Sequence, residues 1–467
     1  MSSHVSPGGF TGTSPVWLRE PEDVNALVPA LWSSTASKDA TGVLTVGGVA
    51  IPDLVANINT PAYVLDEADF RERARAFRDA FTRQGNVHYD VYYAGKAFLC
   101  TEVARWVAQE GLCLDVCSNG ELSVALRAEV DPARIGYHGN NKTPMELRRA
   151  IVAGVGRIIV DSFAEVERVA AIAAETGITA KVMVRVTAGV EAHTHEYIAT
   201  AHEDQKFGFS ISSGDAFEAV RRLLDAPNVE MRGLHSHIGS QIFDSSGFEV
   251  AARRVLALQA RIRDELGTEL PEMDLGGGFG IAYTTQDDPS TPKALAEELT
   301  AIVEHECRGF GLAVPHLSIE PGRAIVGPSM CTVYTVGTVK EVALDGGVTR
   351  TYVSVDGGMS DNIRTALYDA DYSATLAGRS SSAAPVLGRV VGKHCEAGDI
   401  VVKHEFLPGD IAPGDLIAVP GTGAYGRSMA SNYNHALRPP VVAVREGESR
   451  VIVRRETEDD LFATDLG

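Results

Sequence analysis

Residues able to do chemistry recur at one kind of place in this chain, the downstream end of a short apolar run. Lys96 closes HYDVYYAGK, Asp115 lies in LCLDVCS and Arg185 in KVMVRV. His237 and Ser240 stand at the end of MRGLHSHIG, Gly276 to Gly280 follow MDL, and Glu320 and Arg323 end HLSIEPG. A lone lysine in such a position is ordinarily a solvated charge. In a mouth that strips its solvation it becomes an amine able to form a Schiff base with a carbonyl. Gly276-Gly277-Gly278-Phe279-Gly280 could be an ordinary tight turn, but consecutive glycines also let backbone N–H groups approach a phosphate. The run lacks the third glycine of the dinucleotide fingerprint, and the following IAYTTQDDPST reads as loop, so a phosphate monoester fits better than a dinucleotide. Gly421-Thr422-Gly423-Ala424-Tyr425-Gly426 does match that spacing, yet it has no strand–helix–strand context and reads as a chance match.

Glu320 could be a plain surface carboxylate. Set against a pyridine nitrogen it would keep the ring protonated, and a protonated ring is a strong electron sink, suited to loss of carbon dioxide. His235 and His237, two apart on a strand, share a side and could mean zinc. A metal hydrolase barrel would want the pair on its first strand with further ligands, and here it is on the sixth. The preferred reading sets one histidine against the face of a flat cofactor ring and the other in the core, with no metal.

These residues need a scaffold that gathers strand ends. Eight apolar, β-branched runs cover 88–96, 112–118, 134–139, 157–162, 181–186, 231–239, 273–278 and 316–322. Between them lie helical spacings such as Val103, Trp106, Val107, or Leu122, Ala125, Leu126, or Val166, Val169, Ile172, Ala173. Eight strand–helix units predict an α/β fold, a closed (β/α)8 barrel whose active face is the C-terminal end of its strands. After about residue 330 the pattern becomes closely spaced strands, TYVSVDGG, DIVVKHEFL, DLIAVPGTGAYG and PPVVAVREGESRVIVRRE, an all-β region. GVLTVGGVAIPDL and TPAYVLD near the start are also strand-like. The expected division is therefore residues 1–70 as tail and strands joining the β domain, 71–330 as barrel, and 331–467 as C-terminal β domain.

Bulk properties narrow the function classes. The net charge of −20 disfavours nucleic acid and anionic membrane surfaces, so an anionic substrate must be drawn by local arginines. Six cysteines without a C-x-x-C pair fit neither a disulfide scaffold nor a structural zinc site. No apolar run approaches the roughly 20 residues that span a bilayer. Met1 to Pro15 reads as a flexible tail and not a signal peptide, which gives a cytoplasmic expectation.

YYAGKAF, CSNGEL, KFGF, GLHSHIGSQ, LGGGFG, EPGR, RTALYDADY, GKHCEAGD and AYGRSMASNYN, spread from about residue 17 to 460, resemble the fold-type III pyridoxal-phosphate decarboxylases. Among these the chain is most similar to the diaminopimelate decarboxylase family of the actinobacterial kind. The resemblance implies pyridoxal 5'-phosphate as cofactor and decarboxylation of meso-2,6-diaminopimelate to L-lysine, the last step of lysine biosynthesis. It also implies an alanine-racemase-like barrel with a Greek-key-like β domain, and a head-to-tail homodimer with active sites at the interface. In its terms Lys96 is the Schiff-base lysine and His237 stacks on the ring. Asp115, Arg185, Ser240, Gly277, Gly278, Gly280, Gly322 and Tyr425 join the cofactor contacts, the serine and the glycine loop at the phosphate, and Glu320 pairs with the ring nitrogen. Arg323, Arg364 and Tyr368 hold substrate carboxylate, with Tyr425 a further substrate contact. Cys395 and Glu396 come from the opposite subunit, the thiol as a candidate proton donor and the carboxylate for the distal amine. Where many relatives have serine after that pair, this chain has Ala397.

Two arginines suit a diacid better than ornithine, whose tail is only an amine. Decarboxylases of ornithine, arginine or carboxynorspermidine on the same scaffold remain the nearest alternative. A non-catalytic pyridoxal-phosphate regulator would be expected to have lost Lys96 or the Cys395 region, and both are present.

Overall fold

The structure, a computed structural model, describes residues 14–467 except 83, 86, 190–205, 345, 346 and 348. The tail expected before Pro15 lies almost wholly outside the described residues. The chain forms two compact units, one of residues 70–281 and 288–327, the other of 1–69, 282–287 and 328–467.

In the first unit the eight apolar runs become eight parallel strands: Tyr89–Ala94, Cys113–Val116, Ile135–Tyr137, Arg157–Val160, Ala180–Thr187, Val229–His235, Glu272–Asp274 and His316–Ile319. Each pairs in parallel with the next, and the eighth pairs with the first through Leu317 and Tyr89, so the sheet closes on itself. Four of the strands are buried along their whole length, which explains why they read as continuous apolar runs and not as alternating patterns. The helices use the expected stripes: Val103, Trp106 and Val107 are buried on Thr101–Gln109, and Val166, Val169, Ile172 and Ala173 on Phe163–Thr176. Ser118 caps the helix after the second strand, its hydroxyl accepting from Glu121 N. The helix thus starts just beyond Asp115 and Cys117.

The barrel interior holds a buried arginine. Arg157 touches Glu272 (3.0 Å), Asp274 (3.3 Å) and Ser318 (2.7 Å) and lies over the Tyr92 ring at 4.4 Å. Only an inward side chain can reach the first, seventh and eighth strands from the fourth. Asp274 in turn accepts from Gly276 N–H (2.8 Å), so the buried charges support the start of the glycine loop. Burial and the nearby Glu320 carboxylate push Asp274 up to about 7, against the pull of His235 and Arg157.

In the second unit the strand Ala62–Asp66, from TPAYVLD, runs antiparallel to Met330–Ala343 and parallel to Val441–Arg445. The sheet order is Ile400–Pro408, Pro385–Val391, Thr349–Val355, Met330–Ala343, Ala62–Asp66, Val441–Arg445, Glu448–Val453, so an N-terminal strand sits among C-terminal ones. One expectation fails locally. GVLTVGG does form Leu44–Val46 and Val49–Ala50, but IPDL opens the helix Ile51–Ile58. Proline in the first turn is compatible with a helix start, and Ile51 and Leu54 supply a buried face. Among the described residues no helix is long and apolar enough to cross a membrane.

Candidate active site

A cavity of about 280 Å³ opens in the barrel unit, and its lining collects Lys96, Asp115, Arg185, His237 and Glu320, five of the residues singled out from strand ends. Lys96 follows the first strand on a turn fixed by Gly95 N donating to Asp115 O (3.0 Å) and Ala97 N to Ala94 O (3.1 Å). Its side chain is exposed while its neighbours Gly95 and Ala97 are buried. Gly322 packs against Ala94 and Ala97, on either side of this turn.

At the floor, Glu320 is buried beyond the eighth strand. Its Oε1 is 2.9 Å from His235 Nε2 and 3.4 Å from His138 Nε2, and the same nitrogen of His138 is 3.1 Å from Asp115 Oδ1. Burial alone would raise Glu320, but His138, His235 and His237 outweigh it and hold the carboxyl well below its usual range. Asp115 goes the other way, pushed well up by burial and then by Glu320. The two neighbouring carboxyls are thus shifted in opposite directions, the arrangement that separates roles between two acids.

His237 is driven well below its ordinary value by burial and by Lys96 and Arg185, so it stands as a neutral ring. Its Nδ1 faces the Gly277 N–H at 3.2 Å, which assigns the proton to Nε2. The glycine loop passes under this ring, and its glycines are required first by close packing. A Cβ on Gly276 would come to 2.4 Å from Ser236 O, on Gly277 to 2.3 Å from Glu320 O, and on Gly278 to 2.5 Å from Gly239 O. Gly280 lies against the Phe243 ring. Arg323 donates to Ser240 Oγ (3.0 Å), which joins two further expected residues. Arg185 lies over the Phe207 ring at 4.3 Å, with Asp161 3.9 Å from its Nε.

Arg364, Tyr368, Cys395, Glu396 and Tyr425 belong to the β unit. Arg364 and Tyr368 begin and end one short helix, but the arginine is buried rather than part of a surface face: it lies 4.6 Å from the Tyr283 ring and donates to Tyr372 Oη (2.7 Å). Tyr425 is partly buried on a turn with φ of 63°. Cys395 and Glu396 are both exposed, and Cys395 lines a cavity with Lys393, Ser360 and Arg455.

Sequence reasoning missed His138, Asn140, Cys117 and Phe207, all of which line the barrel cavity. It also understated His235, which is buried as expected for a core histidine yet holds Glu320. His138, His235 and Glu320 could geometrically take a metal ion. Glu320 is already bonded to His235, however, and Asp115 Oδ2 and His235 Nδ1 are buried without a hydrogen-bond partner among the described residues. An amine beside an anionic carboxylate, a neutral ring and walls of buried arginine and histidine fits a flat, anionic, aldehyde-bearing heterocycle with a basic ring nitrogen. Pyridoxal phosphate has that chemistry.

Residues 67–327 match the family described as pyridoxal-dependent decarboxylase, pyridoxal binding domain. The chain is 53% identical to the diaminopimelate decarboxylase of Mycobacterium tuberculosis over 94% of its length and 98% of the relative's. It is 44% identical to that of Bacillus subtilis, covering 92% and 97%. Among solved structures it is similar to the diaminopimelate decarboxylase of M. jannaschii in complex with L-lysine, with a TM-score of 0.85, 30% identity, and coverage of 93% of this chain and 98% of that one.

Proposed function

This chain belongs to the pyridoxal-dependent decarboxylases, in their diaminopimelate decarboxylase branch, and from that premise we propose how its residues divide the work. The reaction is decarboxylation of meso-2,6-diaminopimelate to L-lysine and carbon dioxide. The observation that carries the assignment of roles is that Lys96, His237 and Glu320 line one cavity, with His237 tied to the glycine loop by the Gly277 N–H. When bound, pyridoxal phosphate supplies an aldehyde for an amine to condense with and a ring that accepts the electron pair freed as carbon dioxide leaves.

Lys96 would hold the cofactor through its side-chain amine. His237, neutral and fixed by Gly277, covers a face of the ring. Glu320, anionic and held by His235, keeps the ring nitrogen protonated. Asp115 and Arg185 flank the ring, and Ser240, Gly277, Gly278, Gly280 and Gly322 receive the phosphate end. Arg323, Arg364 and Tyr368 bind substrate carboxylate, whose planar fork an arginine matches with two parallel hydrogen bonds. Tyr425 contacts cofactor and substrate. Cys395 offers a proton and Glu396 binds the distal amine.

Those last two residues serve the site of a second copy of the chain, in a homodimer. Their exposure on this chain supports that reading. Mixing Lys96→Ala with Cys395→Ala chains tests it. Half of randomly formed dimers would be mixed and carry one intact site, so about a quarter of wild-type activity should return. No recovery, with subunit exchange demonstrated, would overturn the shared site.

A further inference from the structure

His138 stands directly after the third barrel strand, pinned by its own N–H to Val116 O (2.8 Å). None of the roles above uses it, yet its ring occupies the point where two buried carboxyls meet. Nε2 is 3.1 Å from Asp115 Oδ1 and 3.4 Å from Glu320 Oε1, and the ring meets His235 edge-on with centroids 5.2 Å apart. Glu320 Oε1 is thus approached by two imidazoles, one from the third strand and one from the sixth.

The contact is built into the strand. Gly136, two residues earlier, points to the same side, and a Cβ there would come to 2.4 Å from Asp115 Oδ1 and 3.5 Å from His138 Nε2. Any side chain at 136 would force the carboxyl out of its place. His138 Nε2 has no geometrically sound hydrogen bond among the described residues, and neither has Asp115 Oδ2. Two carboxyls in one dry site cannot both ionise cheaply, so something must decide which one does.

We propose that His138 is a positioning residue for the decarboxylation: its Nε2–H, set between Asp115 and Glu320, orients Glu320 for the ring nitrogen and keeps Asp115 from taking that place. The inference rests on the reading of Glu320 as the ring-nitrogen partner. Its electrostatics agree. Burial takes His138 down to about 4 against the opposing pull of Glu320, so near neutral pH the ring is uncharged and has one N–H to give. The titratable groups around it are Asp115, Glu121 and Glu320 among the acids and Lys96, Lys142 and Arg185 among the bases, with His235 against its edge. An uncharged donor leaves the net charge of Glu320 intact, whereas a second cation would compete with the pyridinium for it.

The test compares wild type with His138→Phe, which keeps a flat ring but no donor, and His138→Gln, which keeps a donor. Three quantities are read: kcat and KM for diaminopimelate, the dissociation constant of pyridoxal phosphate on reconstitution, and the pH midpoint of the bound cofactor's visible absorption. His138→Phe should lower kcat at least about 30-fold, leave KM within about threefold and move the spectral midpoint, the size expected when a buried carboxylate loses a close polar neighbour. His138→Gln should regain at least about tenfold of that loss. Asp115→Asn, which mimics a neutral acid, should cost less than about tenfold and should partly rescue His138→Phe.

A His138→Phe protein with wild-type kcat and spectral midpoint would overturn the proposal, as would a glutamine variant no better than phenylalanine. If His138→Phe does not fold, the glutamine and Asp115→Asn variants decide alone: a loss in Asp115→Asn as large as in Glu320→Gln overturns it. A wild-type protein without cofactor absorption would remove the underlying reading as well. A normal wild-type spectrum with indifferent His138 variants would remove only this inference.

Discussion

Replacing Lys96 with alanine should reduce lysine production from diaminopimelate by at least about 10³-fold, the scale seen when a covalent nucleophile is removed. It should also abolish the visible absorption of lysine-bound cofactor. The fold should survive, because the Lys96 side chain is exposed to the cavity and its turn is held by main-chain bonds from Gly95 and Ala97 that alanine keeps. Equal thermal stability with lost turnover would separate chemistry from folding. Full activity in this variant, or an unchanged absorption band, would contradict the role of Lys96.

The second large effect is expected at Glu320. Glutamine at this position keeps the shape and removes the charge that His235 and His138 gather round. A neutral partner cannot hold a pyridine nitrogen protonated, and the loss of one member of a buried charge pair costs about 3–5 kcal/mol. At about 1.36 kcal/mol per tenfold, kcat should fall by about 10² to 5 × 10³. The absorption of lysine-bound cofactor should remain, since Lys96 is untouched. Steady-state kinetics on Glu320→Gln beside its spectrum checks both halves, and a kcat within a factor of a few of wild type would contradict the electron-sink role.

Much of this site is legible in the sequence because a barrel turns a one-dimensional feature, the end of a strand, into a three-dimensional one. The strands are largely buried, so they read as unbroken apolar runs, and Lys96, Arg185, His237 and Glu320 stand out simply by lying at or just past the run ends. The same rule applied to the third and fourth runs finds His138 and Asp161, the latter 3.9 Å from Arg185. Those two escape notice because their partners lie on other strands, and a histidine after a strand has no local signature of bridging two carboxyls. His235 is underrated for a related reason. Alternation says which face a residue shares, not that Glu320, 85 positions away, waits on that face. Other parts have no sequence signal at all. Residues 282–287 join the β unit although the barrel continues on either side, and Ile51 starts a helix in a stretch whose β-branched composition favours a strand. In both cases tertiary packing, through the buried Ala282 and Ile51 of one apolar cluster, decides what local propensity leaves open.

The Gly276–Gly280 loop shows how a correct location can rest on an incomplete reason. Its glycines suggest close approach of backbone to phosphate, whereas three of them are already demanded by main-chain oxygens of Ser236, Gly239 and Glu320. Close packing brings the loop beneath His237, and Asp274 with Arg157 anchors its first amide from inside the barrel. The phosphate role proposed for the loop is therefore added to a structural one, and substitutions there would confound the two. Lys96, Glu320 and His138 are cleaner positions to probe.

The most direct test of the account is product analysis of the purified protein with pyridoxal phosphate, offered meso-diaminopimelate, ornithine and arginine in competition. The expected result is lysine and carbon dioxide in equal amounts from diaminopimelate, with ornithine and arginine left unchanged. Release of putrescine or agmatine in place of lysine would contradict the substrate assignment, and no carbon dioxide from any of the three would contradict the decarboxylase itself.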